Sequence, residues 1–540
     1  MSLRERLALF ERKPLEAGAL AAGGATIIGS LLEIFKNALL ASRFGASAEL
    51  DVYFAAFRVP DLLYGIFILS ILSVSFFPVF SRTLLTGKER AWRLVSALIA
   101  FFSMGLGIGA FLIAVFARPI AQLLTPGFSP LQTDLLVSLL RVLMLQPIFM
   151  ALANLFADVL RSFKRMFVSA LAPAFYNGGV IAGIVLFSQR MGVYGVVWGA
   201  VFGSLLYVLI QISPLRAIGF RFSWSWRETL NDVRDMCVLM VPRSLLLVAN
   251  NATLVWITML SSLLPIGSLS IYSFTSSLQS LPQTVIALSF VAVAFPQLAQ
   301  QWVASTQEQD DLAREKGKAK FLRLFDAAAG QIMAWLIPCS LLLVAFADPI
   351  VRVLLGHGNF NIADQRTAMI ALAVFALGVP AQGLLVHLVR TFSAMEDAKH
   401  PVFAAFLSLF IVFPSAWFLA MRLGVSGLIA AAVLGAWFNA AYLTWLFTNV
   451  LGTGYLPKFW YGISRGTVAG LIAALAGAGA YYGSGVFVAS SDFLIVLVRG
   501  MVSGGISLFA LGVSIFMYKL VDLAAFGDRE EPGQTSGQDI

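Results

Sequence analysis

The chain has 540 residues, of which 59% are hydrophobic and 12% are charged, and its formal net charge is +9. Soluble domains carry about 25% charged residues, so this composition excludes a soluble protein and makes the membrane the environment of most of the chain. The two cysteines and three histidines show no disulfide or metal-ligand spacing. The basic residues lie in short loops, which argues against nucleic-acid binding.

Apolar runs long enough to cross a bilayer as a helix, about 20 residues each, recur from one end of the sequence to the other. Residues 1–16 are basic and lack a cleavage site, so we interpret them as a cytoplasmic lead-in and not a cleaved signal. The polar tail, 521–540, is predicted to be disordered and cytoplasmic. Fourteen transmembrane helices are predicted, at 17–42, 52–81, 92–116, 132–160, 166–188, 192–215, 235–263, 267–302, 325–347, 363–394, 401–421, 425–450, 460–486 and 491–519.

Lysine and arginine are distributed unequally between the two sides of the predicted bundle. One side carries about three times as many, including the basic stretches 82–93 and 314–323. Cytoplasmic loops are enriched in basic residues, so this side is predicted to be cytoplasmic. An even number of helices then places both termini in the cytoplasm.

Three sequence motifs occur twice, in the same order and about 230 residues apart. The matching pairs are Phe116–Phe128 with Phe346–Phe360, Leu160–Pro173 with Val389–Val402, and Gly192–Gly195 with Gly424–Gly427. We therefore predict an all-α polytopic membrane protein with an N-lobe at 17–215 and a C-lobe at 235–450, related by a parallel repeat. Two further helices, at 460–519, follow the lobes. Transporters built from two halves bind substrate between them.

Ionisable side chains inside a span cost about 2.5 kcal/mol or more unless they face a cavity or a partner. Four predicted helices carry charged or polar candidates: Glu33, Lys36 and Asn37; Asp51, Arg58 and Asp61; Arg243; Ser277 and Gln279. We interpret this set as the lining of a hydrated cavity in which Lys36, Arg58 and Arg243 bind an anionic head group such as a diphosphate. The alternative is structural ion pairing of Glu33 with Lys36, and of Arg58 with Asp61.

No Walker A motif, catalytic carboxylate pair or Ser/His/Asp set occurs in the sequence, so we do not predict an enzyme. No cofactor or metal is predicted either. The membrane potential, worth about 2.3 kcal/mol per charge per 100 mV, or an ion gradient could supply the energy for transport.

The stretch Leu31–Arg82 resembles the opening of the MurJ/MviN lipid II flippases. The matching parts are the Phe44–Ala46 turn, Asp51, Ala56–Pro60 and Phe76–Ser81, and further matches follow in family order at Ala172–Asn177, Val241–Asn251, Ser277–Ala299 and Leu354–Phe360. The resemblance implies a V-shaped bundle of the multidrug/oligosaccharidyl-lipid/polysaccharide exporter superfamily in the bacterial plasma (inner) membrane. It implies that lipid II, the undecaprenyl-pyrophosphate-linked peptidoglycan precursor, moves from the inner to the outer leaflet by alternating access.

The same resemblance implies that the helices at 460–519 form a groove for the lipid tail, and that membrane lipids and cell-wall synthesis enzymes are partners. This sequence departs from the family at several cavity positions. Lys36 and Asn37 stand where an Arg-Asp pair is usual, and family arginines fall on Tyr64 and near Ser277. Sodium binding is not predicted, because the predicted helix at 401–421 offers no acidic or amide side chain.

The sequence leaves three other functions open. A flippase for another lipid-linked oligosaccharide would use the same basic cavity. A multidrug exporter of the same superfamily should need acidic groups there. A non-transporting scaffold of cell-wall synthesis would need no charges inside its spans.

Overall fold

The computed structural model describes residues 14–65, 76–163, 165, 172–223, 226–307, 310–452, 456–487 and 493–518. In these ranges the regular secondary structure is helical. The helices are α1 Pro14–Phe44, α2 Ala48–Tyr64, α3 Phe77–Thr86, α4 Lys88–Val115, α5 Ala117–Leu124, α6 Pro130–Leu143, α7 Leu145–Ser162, α8 Ala172–Ala182, α9 Ser188–Met191, α10 Val193–Ala217, α11 Trp226–Ser262, α12 Ser268–Pro282, α13 Leu288–Gln307, α14 Asp311–Ala345, α15 Ala347–Leu354, α16 Ile362–Ala376, α17 Val379–Ala394, α18 Lys399–Leu423, α19 Val425–Leu451, α20 Pro457–Phe487 and α21 Phe493–Tyr518. Short π-helical segments, Gly183–Phe187 and Gln283–Ala287, join α8 to α9 and α12 to α13.

Every predicted transmembrane segment falls on helix where the structure describes it, apart from its ends and short breaks. Ten helical segments in the described ranges are long and apolar enough to cross a membrane, and α16 with α17, bent by 42°, would make eleven. The all-α polytopic architecture is therefore confirmed, while the total of fourteen stays a prediction. Residues 1–13 of the predicted lead-in and the whole predicted tail lie outside the described residues.

The repeated Phe-Ala-x-Pro-Ile motif folds in the same way in both halves. In the first copy, α5 leads to a loop, and Ser129 then caps α6 by exchanging hydrogen bonds with Gln132 (3.4 and 2.9 Å). In the second copy, α15 leads to a loop, and Asn361 caps α16 by the same exchange with Asp364 (2.9 and 3.2 Å). Such reciprocal caps satisfy N–H groups that the first turn of a helix leaves unpaired. In each half, the repeated motif and the cap that follows it therefore separate two long helices and set the direction of the second.

Three large clusters of buried apolar side chains hold the helices together. One lies within the first half and includes Phe80 and Trp92. A second lies within the second half and includes Phe325 and Phe447. The third contains residues from both halves, contributed by α2, α6, α12 and α16 among others. The halves are therefore packed against each other through a shared apolar core.

Loops from both halves meet at one end of this shared core. The backbone N–H of Asn359 donates to the carbonyl of Ser42 (2.9 Å), and the N–H of Gly127 donates to the Ser262 hydroxyl (3.1 Å). We call this region the junction and define it as residues 42–51, 125–129, 262–270 and 355–361. It closes one end of the interface between the halves.

Candidate transport site

Asp51 connects the two halves at the junction. It lies in the first turn of α2, and only 3% of the residue is exposed. Its Oδ2 accepts the backbone N–H of Gly267 (2.6 Å), and its Oδ1 accepts the N–H (2.8 Å) and hydroxyl (2.6 Å) of Ser270. A carboxylate at a helix N-terminus also complements the helix dipole, so Asp51 caps α12 from the other half. The prediction that Asp51 binds substrate does not match this position, because both of its oxygens are already hydrogen-bonded.

Corresponding glycine loops from the two halves reach across the junction. A Cβ added at Gly127 would lie 2.1 Å from the carbonyl oxygen of Ser262. In the second half, Gly358 has φ +60°, and a Cβ there would lie 2.2 Å from the carbonyl oxygen of Ser42. Both glycines come from the loop that ends the repeated motif. The repeat therefore places one close backbone contact on each side of the junction.

Four of the predicted charged residues lie near one another in the first half. Glu33 and Lys36 come from α1, and Arg58 and Asp61 come from α2. Lys36 lies within electrostatic range of Glu33 and Asp61, and Asp61 within range of Arg58. The first three are partly buried, and Asp61 is exposed. We call these four residues the charged cluster; that they share a substrate site stays a prediction.

In the charged cluster, whose four side chains the structure describes, no acidic side chain lies within 4.0 Å of a basic one to form an ion pair. The structural ion pair expected between Glu33 and Lys36, and the one between Arg58 and Asp61, are therefore not formed in this conformation. The cluster contains two basic and two acidic side chains, so its formal charges balance instead of being basic. Arg243, the third predicted cation, lies on α11, and its side chain is outside the described parts of the chain.

Arg58 extends from the charged cluster toward the second half. Its Nε donates to the hydroxyl oxygen of Thr258 on α11 (3.0 Å). Thr258 is fully buried, and its hydroxyl donates in turn to the carbonyl of Leu254 (2.8 Å). Tyr272 on α12 lies within electrostatic range of the Arg58 guanidinium. Arg58 therefore lies at the interface between the halves, where substrate was predicted to bind.

Asp61 lines a cavity of about 160 Å³ inside the first half. Tyr64, Gln146 and Tyr176 line the same cavity. The Tyr64 hydroxyl accepts from the Asn154 side chain (2.9 Å), and the Tyr176 hydroxyl accepts from the Gln146 amide (3.3 Å). Sequence reasoning missed Gln146 and Tyr176, because α7 and α8 carry them as lone uncharged polar groups in apolar surroundings. The cavity gives Asp61 a polar environment separate from the interface that Arg58 faces.

Gln279, one of the polar residues predicted on the eighth span, contacts another helix of the second half. Gln279 is 4% exposed, and its amide donates to the side-chain oxygen of Gln382 on α17 (3.3 Å). Gln279 therefore points into the second half and not toward the charged cluster. Ser277 is partly buried on the same helix. Asn37 is 4% exposed on α1, beside Lys36.

An apolar groove of about 490 Å³ lies between α14, α15 and α21. Its lining includes Leu342, Phe346, Ile350, Met501 and Leu508. We call this the apolar groove. Its lining is almost entirely hydrocarbon, so it suits a lipid chain better than a polar group.

A buried carboxylate fixes α20 to the second half. Asp326 on α14 is 6% exposed, and its two oxygens accept the backbone N–H groups of Lys458 (2.9 Å) and Phe459 (2.8 Å). These donors belong to the first turn of α20. Sequence reasoning missed Asp326 although it lies at the start of a predicted span, where an ionisable residue needs a partner.

Comparison with known proteins identifies the family of the chain. The family model described as "Lipid II flippase MurJ" matches residues 40–499. The chain belongs to the lipid II flippase MurJ family. It is a multi-pass membrane protein.

Curated relatives in the MurJ family are similar over most of the chain. The "Lipid II flippase MurJ" of Burkholderia cenocepacia is 24% identical over 438 residues, which cover 78% of this chain and 82% of the relative. The "Probable lipid II flippase MurJ" of Bdellovibrio bacteriovorus is 27% identical over 447 residues, which cover 80% and 82%. The protein of the same name from Borreliella burgdorferi is 25% identical over 386 residues, covering 71% and 73%.

Two solved membrane-transport proteins have a fold similar to that of this chain. A structure titled "Lipid II flippase MurJ, inward closed conformation" aligns with a TM-score of 0.74 at 22% identity and covers 93% of this chain and all of that one. An inward-facing multidrug resistance MATE family transporter aligns with a TM-score of 0.58 at 15% identity, covering 82% and 95%.

Proposed function

We propose that this protein is a flippase for lipid II, moving this peptidoglycan precursor from the inner to the outer leaflet of the bacterial plasma membrane. The observation that carries the proposal is the position of Arg58 at the interface between the halves of a MurJ-family bundle, with Lys36 in the same charged cluster. Charged side chains at membrane depth are expensive unless they serve a polar cavity or a polar ligand. A diphosphate is such a ligand.

The head group is held, in this proposal, by Lys36 and Arg58, with Arg243 as a third cation. Glu33 and Asp61 offset the positive charges while the site is empty. Within the charged cluster, Lys36 and Arg58 lie near the two carboxylates without forming ion pairs, so phosphate oxygens can approach these two cations without first breaking a short salt bridge. Phosphate binding by a lysine lacks the two-pronged geometry of arginine, so Arg58 contributes most of the orientation.

Alternating access supplies the direction of transport. In this proposal both termini and the basic stretch 314–323 lie in the cytoplasm, because cytoplasmic loops of membrane proteins are enriched in basic residues. The junction then faces the outside and is closed in this conformation. Substrate enters from the cytoplasmic side, and the junction must open before the head group can leave. The membrane potential favours return of an empty cationic site toward the negative cytoplasm.

The lipid tail stays in the membrane during this movement. The apolar groove beside α21 is the place we assign to it, because a chain of apolar units matches its lining. Cell-wall synthesis enzymes, which consume lipid II outside the membrane, are proposed as functional partners.

Complementation tests this function directly. The wild-type chain and a Lys36→Ala/Arg243→Ala double variant are expressed in a bacterium whose own lipid II flippase can be switched off. A Lys88→Ala/Arg216→Ala variant removes the same number of charges from exposed positions and is the matched control. We expect growth with the wild type and the control, and loss of growth with the Lys36/Arg243 variant at equal membrane levels.

Two other outcomes would overturn parts of the proposal. Growth with the Lys36/Arg243 variant would favour a non-transporting scaffold, which needs no charged cavity. Failure of a well-expressed wild type would point to another lipid-linked oligosaccharide or to drug export. The acidic groups Glu33 and Asp61 in the charged cluster are the specific observation in favour of an exporter of cations, and increased drug tolerance would then support it.

A further inference from the structure

The apolar groove ends beside the junction, at a rim that carries two arginines and two tyrosines. The residues are Arg352 on α15, Arg499 on α21, and Tyr481 and Tyr482 on α20. None of them belongs to the charged cluster. Basic residues are the minority on the side of the bundle where the junction lies, so these two arginines do not follow the charge bias from which the orientation is predicted. They therefore need an explanation of their own.

Arg352 lies on the polar face of a short amphipathic helix. Its neighbours Ile350 and Val353 line the apolar groove. Its Nε donates to the Oδ1 of Asp348 (2.7 Å), and 47% of the Arg352 side chain is exposed. The guanidinium is therefore held at the edge of the groove while about half of the side chain remains accessible.

Arg499 is held at the same rim from α21. Its Nη2 donates to the carbonyl of Tyr481 (2.6 Å), and its Nε donates to the Ser484 hydroxyl (3.1 Å). The guanidinium carbon lies 4.8 Å from the centre of the Tyr481 ring. The next residues along α21, Gly500 and Met501, line the apolar groove. Arg499 is thus fixed where the groove ends.

Tyr481 links the two arginines to the groove. Its ring lies 6.5 Å from that of Phe346, which lines the groove, and it is within electrostatic range of both Arg352 and Arg499. Tyr482 is 55% exposed beside it. Tyrosine and arginine are suited to a membrane interface, where an apolar body and a polar end are both satisfied. The rim therefore joins a hydrocarbon channel to a cationic, aromatic end.

We propose that this rim binds the phosphate of a polyprenyl phosphate or diphosphate lipid in the leaflet on the junction side, with the prenyl chain lying in the apolar groove. This inference rests on the proposed function, because it gives the groove an outer end at which a flipped lipid is held or a spent carrier lipid binds. Arginine and phosphate form charge-assisted, often bidentate hydrogen bonds. Asp348 competes with the phosphate for Arg352.

The repeat supplies a matched control for this site. Arg118 lies on α5, the equivalent helix of the first half, and pairs with Asp134 (3.2 Å) with 64% of its side chain exposed. It is an exposed arginine at the same end of the bundle, but it belongs to the half that lacks α20 and α21. Its loss should not affect the proposed lipid site.

The test measures binding of undecaprenyl phosphate to the purified full-length protein by native mass spectrometry in detergent. Arg352→Gln, and separately Arg352→Gln/Arg499→Gln, should weaken binding by about tenfold or more. Asp348→Asn should strengthen binding severalfold, because it removes the carboxylate that competes for Arg352. Arg118→Gln should leave binding unchanged. The opposite signs for Arg352→Gln and Asp348→Asn distinguish a binding site from general loss of folding.

Several results would overturn the inference. One is unchanged binding of undecaprenyl phosphate in Arg352→Gln, and another is an equal loss of binding in Arg118→Gln. A third is that phosphatidylglycerol binds as tightly as undecaprenyl phosphate. A fourth is competition by inorganic diphosphate at the same concentration, which would show that the prenyl chain does not contribute to binding. Complementation separates this result from the proposed function. If the wild type fails to restore growth but binds undecaprenyl phosphate through Arg352, the function fails and the site stands. If the wild type restores growth and the Arg352→Gln variant binds undecaprenyl phosphate as well as the wild type does, only the proposed rim site is wrong.

Discussion

The Asp51 carboxylate accepts hydrogen bonds from Gly267 and Ser270, residues 216 and 219 positions away in the other half of the chain. Hydrogen bonds that involve a charged group are worth about 1.5–3 kcal/mol each. In a transporter of this architecture, a contact made on only one side of the interface stabilises one conformation over the other. Asp51 therefore acts as a positioning residue for the closed junction, and the variants below test this and related contacts.

Asp51→Ala should open the junction. The loss of about 2 kcal/mol or more corresponds to a shift of roughly thirtyfold or more in the balance between closed and open forms. Spin labels are attached to cysteines introduced at Leu131 and Ile266, which are exposed near the junction on opposite halves, in a variant from which Cys237 and Cys339 have been removed. The measurement is the distance between the two labels. We expect the distance distribution to move to larger values.

The control for this measurement is Asp134→Ala. Asp134 pairs with Arg118 at the same end of the bundle, but both side chains are mostly exposed, at 60% and 64%. Exposed ion pairs contribute about 0–1 kcal/mol, so the distribution should not change. If Asp51→Ala also left it unchanged, Asp51 would not hold the junction closed.

Gly358→Ala should destabilise the closed junction more than Gly452→Ala. Both glycines have a positive φ, +60° and +68°, so each substitution carries backbone strain of about 1–2 kcal/mol. A Cβ at Gly358 would lie 2.2 Å from the carbonyl oxygen of Ser42, whereas nothing lies within 4 Å at Gly452. Thermal unfolding in detergent should show a small decrease for Gly452→Ala and a larger one for Gly358→Ala. Equal decreases would show that the contact with Ser42 does not matter.

Asp326→Ala should loosen α20 from the second half. The variant leaves two backbone N–H groups of α20 without their buried acceptor, which costs about 1–3 kcal/mol each, so the melting temperature should fall clearly. Asp326→Asn keeps one acceptor and should have an intermediate effect. Asp310→Ala, which removes an exposed cap from α14 (3.1 Å to the Leu312 N–H), should cost only about 1 kcal/mol. Equal effects of Asp326→Ala and Asp310→Ala would contradict the anchoring role.

Arg58→Gln should abolish complementation, while Thr258→Val should only weaken it. Both variants remove the hydrogen bond between the two halves (3.0 Å), but only Arg58→Gln removes the positive charge that is proposed to bind phosphate. Growth rate under depletion of the host flippase is the measurement. If both variants impaired growth to the same degree, Arg58 would act through its contact with Thr258 and not through substrate.

The candidate site was predictable in part. Lys36, Arg58 and Asp61 could be placed together because charges at regular positions in apolar helices must share a polar environment. Their partners could not be predicted: Thr258, Gln146 and Tyr176 are uncharged residues on other helices, and nothing local distinguishes them from packing residues. The contact of Gln279 could not be predicted either, because its partner, Gln382, is an uncharged residue on another helix of the second half.

The sequence by itself determined the membrane-spanning helices, the repeat and the motifs that mark the family, because these depend on hydropathy and on residue order along one stretch of chain. Only the tertiary structure decided which end of the interface is closed, what Asp51 and Asp326 bind, and where the apolar groove ends. Each of these features joins residues more than one hundred positions apart. The energy of such a contact depends on geometry and burial that arise only when the helices pack, so no local pattern records it.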